Sequence, residues 1–579
     1  MRNQLTKILS QTLGIDSSEV QLMPTKETKF GDYQCNAAMA AAKKLGMNPR
    51  QLASDWQAKL TPALQGIARL EIAGPGFLNL FLEDSWVEQQ LRDFQPTHWE
   101  TGLAPRRVLV EYSSPNVAKE MHVGHIRSTI LGDAVARVMA FAGNEVIRQN
   151  HLGDWGTQFG MLCTHVKDHP ELAHSDLSSI DQLYKEASAR FQSDEDFEKR
   201  ARQAVVALHQ GDSETLQLWE QVVEQSRRHF QPLYQRLGVL LTRADERGES
   251  FYRHQLGETV EWLQSHFAEP KNGLQVTVSD GAVCAYHWKP NGEPEFLNAQ
   301  KEAQPFLIRK SDGAFLYATT DLAACRFRVD QLKADTIIVI TDARQVLHFQ
   351  MLIATVKRAG WMHSERGEVD FQHLTFGSIL GPDRKPFKAR SGETVKLAEL
   401  LDEAVERART ALTENPRSEF SEDEIQSVSE AIGIGAVKYA DLAQYRGTDY
   451  IFSWDKMLSL EGNTAPYMLY ALARIRSILG KTTFTPVDAR LEHPQERALA
   501  IQLLRFHETL DVVIQDWRLN LLADYLYQVA GAFSRFYEEC PVLKSEEPQR
   551  SSRLRLCDTT ARVLEQGLTL LGIPLVERM

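Results

Sequence analysis

The strongest constraint in this sequence is the stretch from Val108 to Arg127, which reads VLVEYSSPNVAKEMHVGHIR. It opens as an apolar strand, and from Ile126 onward its apolar residues fall at helical spacing. Gly124 stands where the backbone must come close to a ligand. The turn between the two elements holds the polar side chains of Glu111, Asn116, Lys119, His122 and His125. A strand, a polar turn and a helix in this order predict the first half of a βαβ unit.

The turn also has the features of a phosphate site. A helix that begins near Gly124 would point unpaired backbone N–H groups, and the positive end of its dipole, toward the end of the strand. His122 and His125 would then donate hydrogen bonds to the same anion. Two alternatives stay open at this point: the histidines are ordinary turn residues, or they are half of a metal site.

Further strands complete a parallel sheet in this part of the chain. Residues 145–150 predict the next strand, and the glycine-rich loop 151–158 follows at its carboxyl end, where parallel sheets bind ligands. A charged helical insertion with a β-rich end is expected around residues 171–300. The second half of the sheet is expected from the apolar segments 306–308, 315–317, 336–340 and 371–380, with a helix over residues 345–359.

The two ends of the chain have different patterns. Residues 1–105 predict a small α+β domain, either an appendage that recognises a partner or a packing domain. After Gly392 the apolar spacing is helical almost to the end. Six helices are expected, at residues 397–412, 425–445, 467–479, 495–514, 519–537 and 554–571. The predicted fold is therefore multidomain, α/β plus all-α: a small N-terminal domain, a Rossmann-like parallel sheet and a C-terminal helical bundle.

Composition narrows the class of protein. A length of 579 residues is too great for a single core. No run of roughly 18 apolar residues and no signal peptide is present, which indicates a cytoplasmic protein without a membrane partner. The six cysteines form no CxxC pair, so neither a disulfide framework nor a structural zinc site is expected. The net charge of −12 disfavours nucleic-acid binding without excluding it, since a local basic face can hold phosphates.

Taken together, these motifs resemble the arginyl-tRNA synthetase family of class I aminoacyl-tRNA synthetases, in its bacterial form, over essentially the full length. His122-Val123-Gly124-His125 matches the HIGH element of class I, and the preceding residues 113–119, SSPNVAK, match the longer pattern of the arginine enzymes. The resemblance implies four domains: a tRNA-contacting domain at 1–105, a catalytic domain at 106–392, a connecting helical region at 393–455 and an anticodon-binding domain at 456–579.

The resemblance implies ATP-dependent ligation of L-arginine to tRNA(Arg) through an arginyl-adenylate. In such a reaction the arginine carboxylate attacks the α-phosphate, so catalysis rests on positioning and on stabilising phosphoryl charge. His122, Gly124, His125 and Lys119 are the expected ATP-binding residues. Mg²⁺ is expected to arrive with ATP, because no carboxylates are spaced to form a protein cage for it.

A guanidinium substrate calls for carboxylates along its fork and an aromatic ring against its plane. The family's arginine-binding positions correspond to Glu111, Tyr317 and Asp321 here, with Asn116 and Gln345 toward the backbone groups of the substrate and His122 beside them. Tyr317 and Asp321 are four residues apart, so a helical turn would place them on one face. The same logic predicts that no editing domain is needed, since neutral isosteres would leave buried acceptors unpaired.

One departure from the class concerns the mobile KMSKS loop. Its place is taken by the basic segment 381–390, GPDRKPFKAR, in which Lys385 and Lys388 are candidates for contacting pyrophosphate, with Lys119 as a third. The sequence does not rank the three lysines, and a solvated loop charge is the alternative for Lys385 or Lys388 alone.

The remaining implications concern the partner. Phe30 and Gln34 in the N-terminal domain, and Tyr467 and Arg474 in the helical bundle, match positions that contact tRNA in this family. A monomer without DNA partners is expected, and the family often requires bound tRNA before it activates arginine. Two other functions stay open: a tRNA-independent nucleotidylyl transferase that shares the HxGH turn, and a non-catalytic RNA-binding paralogue.

Overall fold

The computed structural model describes residues 1–25, 27–117, 119–170, 178–387, 395–414, 420–482 and 487–579, with no account of the side chains of 178–181 and 209. The chain forms two compact units, each built from segments that are separated in sequence. The first contains Met1–Trp99, Leu460–Thr569 and Leu575–Met579, and the second contains Glu100–Ser459 and Leu570–Pro574.

The N-terminal residues form the predicted α+β domain. Its helices and strands are α1 (Arg2–Leu13), β1 (Leu22–Pro24), β2 (Tyr33–Cys35), α2 (Ala37–Leu45), α3 (Pro49–Ala63), β3 (Ala68–Ala73), β4 (Phe77–Leu82) and α4 (Asp84–Asp93). The strands form an antiparallel sheet in the order β1-β2-β4-β3. Helix α3 begins where Asn48 accepts hydrogen bonds from two backbone N–H groups and Pro49 fills the first helical position.

The second unit carries the parallel sheet. Its elements are β5 (Arg107–Glu111), α5 (Val123–Phe141), β6 (Glu145–Gln149), α6 (Thr157–Asp168), α7 (Ser178–Ser193), α8 (Glu195–Gln210), α9 (Ser213–Arg236), α10 (Leu256–Phe267), β7 (Leu274–Ser279), β8 (Ala282–His287), β9 (Phe306–Arg309), α11 (Tyr317–Asp330), β10 (Thr336–Asp342), α12 (Val346–Arg358), β11 (His363–Ser364), β12 (Gly367–Glu368), β13 (Asp370–Phe376), β14 (Ile379–Leu380), α13 (Leu397–Thr413), α14 (Glu422–Leu442), β15 (Tyr450–Ile451) and α15 (Trp454–Met457).

The main sheet has the order β13-β10-β5-β6, and all three pairings are parallel. The first five residues of β10, Thr336 to Ile340, are all buried, as expected for a strand covered on both faces. The carboxyl ends of β5, β6 and β10 therefore meet at one edge, and the turn that contains HVGH leaves from that edge.

Two predicted strands are wrong in their placement. Residues 306–308 form β9, which pairs antiparallel with β8 in a separate three-stranded sheet rather than with the parallel sheet. Residues 315–317 are not a strand, because Tyr317 begins α11 and Leu316 is its N-cap residue. A short apolar run is buried equally well in either sheet or at a helix start, so its pattern does not decide among them.

The C-terminal bundle consists of α16 (Ala465–Leu479), α17 (Pro494–Leu504), α18 (Phe506–Asp516), α19 (Leu519–Glu539) and α20 (Gln549–Leu570). The single helix predicted over 495–514 is two helices that meet at Arg505. The remaining predicted helices are confirmed. Among the described residues, no helix is long and apolar enough to cross a membrane.

Within the first unit, the N-terminal domain is joined to the bundle by buried polar contacts. Tyr33 Oη lies 2.8 Å and 2.9 Å from the two carboxylate oxygens of Glu508. Arg497 donates from both terminal nitrogens to the Asp32 carboxylate at 2.9 Å and 2.8 Å, and Arg505 donates to the Asp32 carbonyl at 2.8 Å. A fork of this kind fixes the two elements in orientation as well as in distance.

The close packing of α5 on the end of β5 generates a stability prediction. A Cβ atom at Gly132 would overlap the Tyr112 side chain, whereas a Cβ at Gly257 in α10 would meet nothing within 4 Å. We expect Gly132→Ala to destabilise the protein by about 1–3 kcal/mol. Gly257→Ala is the matched control and should be neutral or stabilising by up to about 1 kcal/mol. Thermal unfolding of the two variants measures the difference, and equal shifts would contradict the close approach.

Candidate active site

The HVGH turn is organised by hydrogen bonds between its own residues. His122 Nδ1 accepts from Gly124 N at 3.0 Å, and His125 Nδ1 accepts from His122 N at 3.1 Å. His122 is thus the N-cap of α5. A Cβ atom at Gly124 would lie 2.8 Å from His122 Cε1, so only glycine lets the ring lie against this turn.

These bonds correct the expectation of unpaired N–H groups at the helix start. Val123 N donates to Val395 O at 3.0 Å and His125 N donates to His122 O at 2.8 Å. Because Gly124 N donates to the His122 ring, the first three backbone amides of α5 all have partners within the protein. An anion here would be held by the imidazole groups and the helix dipole rather than by free amides.

The two imidazoles are neutral donors. Because both Nδ1 atoms accept hydrogen bonds, the ring proton of each neutral imidazole lies on Nε2. Burial, together with the neighbouring His122, lowers the pKa of His125 to about 3. Burial and the cations of Lys119 and Arg344 lower the pKa of His122 as well. The ring centroids are 4.0 Å apart, so the turn presents two adjacent uncharged N–H groups at neutral pH.

The residues just before this turn adopt an uncommon backbone conformation. Ser113 and Ser114 have φ angles of 69° and 46°, the left-handed region. Ser114 N donates to Asn150 Oδ1 at 3.0 Å, and Ser113 Oγ lies 2.6 Å from Tyr234 Oη. Asn150 Nδ2 also donates to Tyr234 Oη at 3.2 Å. Tyr234, a residue of α9 that the sequence did not indicate, thus supports this turn from the insertion.

Asn116 is placed against the loop that follows β6. Val117 N donates to Gly153 O at 3.0 Å, and Gly153 N donates to Pro115 O at 3.1 Å. A Cβ atom at Gly153 would overlap Asn116 Oδ1. The glycine is therefore required for the amide of Asn116 to lie beside this loop.

Glu111 ends β5 and is buried against a cation of the protein itself. Its carboxylate accepts a hydrogen bond from Arg328 Nη2, and Arg328 Nε donates to Gln149 Oε1 at 2.9 Å. Burial alone would lower the pKa of Arg328, but Glu111 raises it above its ordinary value. The prediction that Glu111 contacts a substrate stays a prediction, and in the protein one carboxylate oxygen is already engaged.

Asp321 lies on the first turns of α11, as predicted from its spacing to Tyr317. Its Oδ2 accepts from His348 Nε2 at 2.6 Å, and His151 Nε2 lies 3.8 Å from Oδ1. Burial would raise the pKa of Asp321, but the hydrogen bond from His348 and the surrounding positive groups keep it below its ordinary value. The Tyr317 ring is 61% exposed and its centroid lies 4.8 Å from that of His348.

Glu249 is a site residue that the sequence reasoning missed. Burial and the charges of Asp154 and Asp321 raise its pKa to about 8. Asp154 holds the segment in place, since it accepts from Ser250 N at 2.8 Å and from Ser250 Oγ at 2.7 Å. Glu249 follows the helical insertion in sequence, so only the fold reveals its electrostatic interaction with Asp321.

The other predicted residues that the structure describes are exposed on the second unit. Gln345 is exposed at the N-terminal end of α12, and Lys119 is exposed with its Nζ 4.7 Å from the centroid of the Tyr184 ring. Lys385 is exposed in the basic loop. Lys388 lies outside the described residues. Among the described residues, no group of three or more His, Cys, Asp or Glu side chains is arranged to hold a metal ion.

The residues predicted to contact tRNA lie in the first unit. Phe30 is exposed, and Gln34 Nε2 donates to Asn79 Oδ1 at 2.9 Å. The Tyr467 ring meets Tyr527 with centroids 5.7 Å apart, and the guanidinium of Arg474 lies 4.5 Å from the centroid of the Tyr537 ring. Of these four residues, Tyr467 also lines a cavity of about 640 Å³, together with Gly31, Arg497, Arg505, Tyr527 and Arg535.

Comparison with known proteins agrees with this geometry. The family model for the catalytic domain of class I tRNA synthetases (R) matches residues 96–454. The DALR anticodon binding domain matches residues 468–579, and the arginyl tRNA synthetase N terminal domain matches residues 1–82.

Relatives are similar over the whole chain. The arginine–tRNA ligase of Alteromonas mediterranea is 46% identical over 589 residues, which cover 100% of this chain and 99% of that protein. The arginine–tRNA ligase of a Synechococcus species is 45% identical over 599 residues, with the same coverage.

The crystal structure of arginyl-tRNA synthetase from Plasmodium falciparum is similar with a TM-score of 0.83 at 29% identity, covering 100% of this chain and 99% of that one. The arginyl-tRNA synthetase of Thermus thermophilus gives a TM-score of 0.80 at 25% identity, covering 100% of both chains. The chain therefore belongs to the arginyl-tRNA synthetase family of class I aminoacyl-tRNA synthetases.

Proposed function

We propose that this protein attaches L-arginine to tRNA(Arg) in two steps. The arginine carboxylate attacks the α-phosphorus of ATP and displaces pyrophosphate, which gives arginyl-adenylate. A terminal hydroxyl of the tRNA then attacks the carbonyl carbon and displaces AMP. The proposal is supported by two neutral imidazole donors that follow β5 at the sheet edge where β6 leads to His151, which lies 3.8 Å from Asp321 of the proposed acidic pocket.

The phosphate half of the site is assigned to the HVGH turn. Displacement at phosphorus builds charge on the phosphoryl oxygens, and preorganised donors in a partly buried turn stabilise that charge without reorganisation. His122 and His125 supply Nε2–H groups, and the backbone of Gly124 leaves room for the nucleotide. Lys119, Lys385 and Lys388 are the proposed cations toward pyrophosphate, and Mg²⁺ is proposed to arrive bound to ATP.

The arginine half of the site is assigned to the acidic pocket. Asp321 and Glu249 are proposed to accept from the guanidinium fork while Tyr317 covers its plane. Asn116, Gln345 and Glu111 are proposed to lie toward the α-amino and carboxylate end, beside His122. A neutral analogue of arginine would leave these buried acceptors without a partner, at a cost of about 1–3 kcal/mol for each group. Selection at binding therefore needs no second, hydrolytic site.

The RNA partner is assigned to the first unit. Exposed rings and guanidinium groups suit single-stranded bases and phosphates, through stacking and charge-assisted hydrogen bonds. Phe30 and Gln34 on the N-terminal domain, and Tyr467 and Arg474 on the bundle, are the proposed contacts. A cytoplasmic monomer without DNA or membrane partners stays a prediction from the family.

The reaction is tested by pyrophosphate exchange into ATP with each of the standard amino acids, with and without tRNA. We expect exchange with arginine to exceed that with every other amino acid. Exchange supported best by another amino acid would contradict the specificity. Full activity after deletion of residues 460–579 would favour a tRNA-independent nucleotidylyl transferase instead.

The pocket assignment is tested by Asp321→Asn. Removing the charge weakens a charge-assisted bond to the substrate, so the KM for arginine should rise roughly 10- to 100-fold while the KM for ATP stays within about twofold. Asp335→Asn is the control, since Asp335 is also a carboxylate of this unit but lies just before β10, at the amino-terminal edge of the parallel sheet, where it accepts from Arg107 N at 2.9 Å. An unchanged KM for arginine in Asp321→Asn would remove Asp321 from the pocket.

Glu249 predicts how arginine binding depends on pH. With its pKa raised to about 8, Glu249 is mostly protonated at pH 6, and a bound guanidinium favours the carboxylate. Binding then releases a proton, so the Kd for arginine should fall as the pH rises from about 6 to 8, by up to about tenfold per pH unit. Calorimetric titration measures the slope. Glu249→Gln should flatten it. A flat profile in the wild type would refute the assignment.

A further inference from the structure

Arg127 is a buried cation of α5 that the proposed chemistry does not use. Its side chain is 1% exposed, and Nε lies 2.9 Å from Asp441 Oδ2. Nη1 donates to two backbone carbonyls, Gly377 O at 2.7 Å and Thr448 O at 3.1 Å. The Tyr450 ring covers the guanidinium at 5.2 Å from its centroid. One side chain of the HVGH helix thus reaches one carboxylate and two separate backbone segments.

Both backbone segments lead into one short strand pair. Gly377 lies between β13 and β14, and Thr448 lies just before β15. Strand β14 pairs with β15 in parallel, with Ile379 opposite Tyr450. The basic loop leaves β14 immediately after this pair. Arg127 therefore contacts the backbone just before both strands of the pair from which the loop departs.

The described part of the loop, Gly381 to Phe387, folds back on that strand pair. Gly381 N donates to Lys385 O at 2.8 Å, and Phe387 N donates to Ile379 O at 3.1 Å. The Phe387 ring stacks on Phe452, which follows β15, with centroids 4.5 Å apart. The backbone of Lys385 is consequently held in a closed turn whose base is the strand pair that Arg127 contacts.

A second attachment lies where the chain returns from the loop region. Val123 N donates to Val395 O at 3.0 Å, and Leu397 N donates to Met121 O at 2.9 Å. The Lys396 ammonium lies 2.7 Å from the Glu120 carboxylate. The residues on both sides of the basic segment are therefore bonded to the first turns of α5 or to the residues just before it.

We propose that Arg127 is a positioning residue that holds the basic loop, and with it Lys385, at a fixed distance from His122 and His125. An arginine suits this role because its planar fork donates in several directions at once, whereas a lysine provides a single ammonium group. The inference rests on the proposed function, in which loop cations act on the phosphates of ATP.

Arg127→Lys tests the proposal in the full-length protein with tRNA present. In pyrophosphate exchange we expect kcat for arginine activation to fall roughly 10- to 100-fold, because a misplaced group costs rate even when it lies away from the reacting atoms. The KM for ATP should rise several-fold, and the KM for arginine should stay within about twofold. A merely structural defect would not separate the two KM values in this way.

Limited digestion with trypsin supplies a readout of the loop itself. The bond after Arg384 is exposed in the loop, whereas the bond after Lys385 precedes a proline and resists trypsin. Cleavage after Arg384, followed by mass spectrometry, should be several-fold faster in Arg127→Lys than in the wild type, because the local opening that cleavage requires becomes easier.

Arg358→Lys is the matched control in the same unit. Arg358 likewise donates to a glycine carbonyl, Gly273 O at 2.9 Å, and to a carboxylate, that of Glu295, but it lies at the end of α12. Its exchange kinetics and its cleavage after Arg384 should equal those of the wild type. If Arg127→Lys does not fold by circular dichroism, Tyr450→Phe replaces it, since Tyr450 contacts both Arg127 and Asp441; it should shift the same quantities in the same direction by less.

Unchanged KM for ATP and unchanged cleavage after Arg384 in Arg127→Lys would overturn the proposal, as would changes of the same size in Arg358→Lys. Failure of the proposed function is distinguishable: the wild type would then show no arginine-dependent exchange, while the cleavage comparison would still decide whether Arg127 holds the loop.

Discussion

The hydrogen bond from Gly124 N to His122 Nδ1 is the contact on which the proposed phosphate side of the site depends. It caps α5, fixes the His122 ring over Gly124 and leaves the proton on Nε2. His125 makes the same kind of bond, since its Nδ1 accepts from His122 N. The rings that cap the helix are the proposed phosphate donors, so the contacts that begin the helix also hold these donors rigid.

The carboxylates of the proposed acidic pocket lie in different electrostatic environments. Glu111 is paired with Arg328, Asp321 is kept ionised by His348, and Glu249 is kept protonated by burial and by its acidic neighbours. The charges of Asp154 and Asp321 disfavour the ionised form of Glu249, since like charges repel one another in a medium of low dielectric. In the proposed function, a guanidinium bound here would favour the ionised form of Glu249 and so lower its raised pKa.

The sequence was informative where one element determines its own environment. Local periodicity and a polar turn specify the strand, turn and helix around HVGH, so these were predicted. The buried run of β10 and the placement of Tyr317 and Asp321 on one helical turn were predicted in the same way. Prediction failed where partners are distant in the chain. The antiparallel pairing of β9, the placement of Glu249 beside Asp321 and the bond from Val123 N to Val395 O all depend on contacts that no local pattern encodes. The break at Arg505 belongs to the same class, since helical spacing continues across it.

The first unit shows why a net charge of −12 is a poor guide to an RNA partner. Arg497 donates to the Asp32 carboxylate and Arg505 to the Asp32 carbonyl, and both line the same cavity as Arg535. Tyr467 and Tyr527 add ring faces at the same place. Because exposed charges are screened within about 10 Å in salt solution, a phosphate at this surface responds to these neighbours and not to the total charge of the chain. Asp32 thus has two roles. It joins the N-terminal domain to the bundle, and it holds two of the guanidinium groups that a polyanion would meet at this cavity.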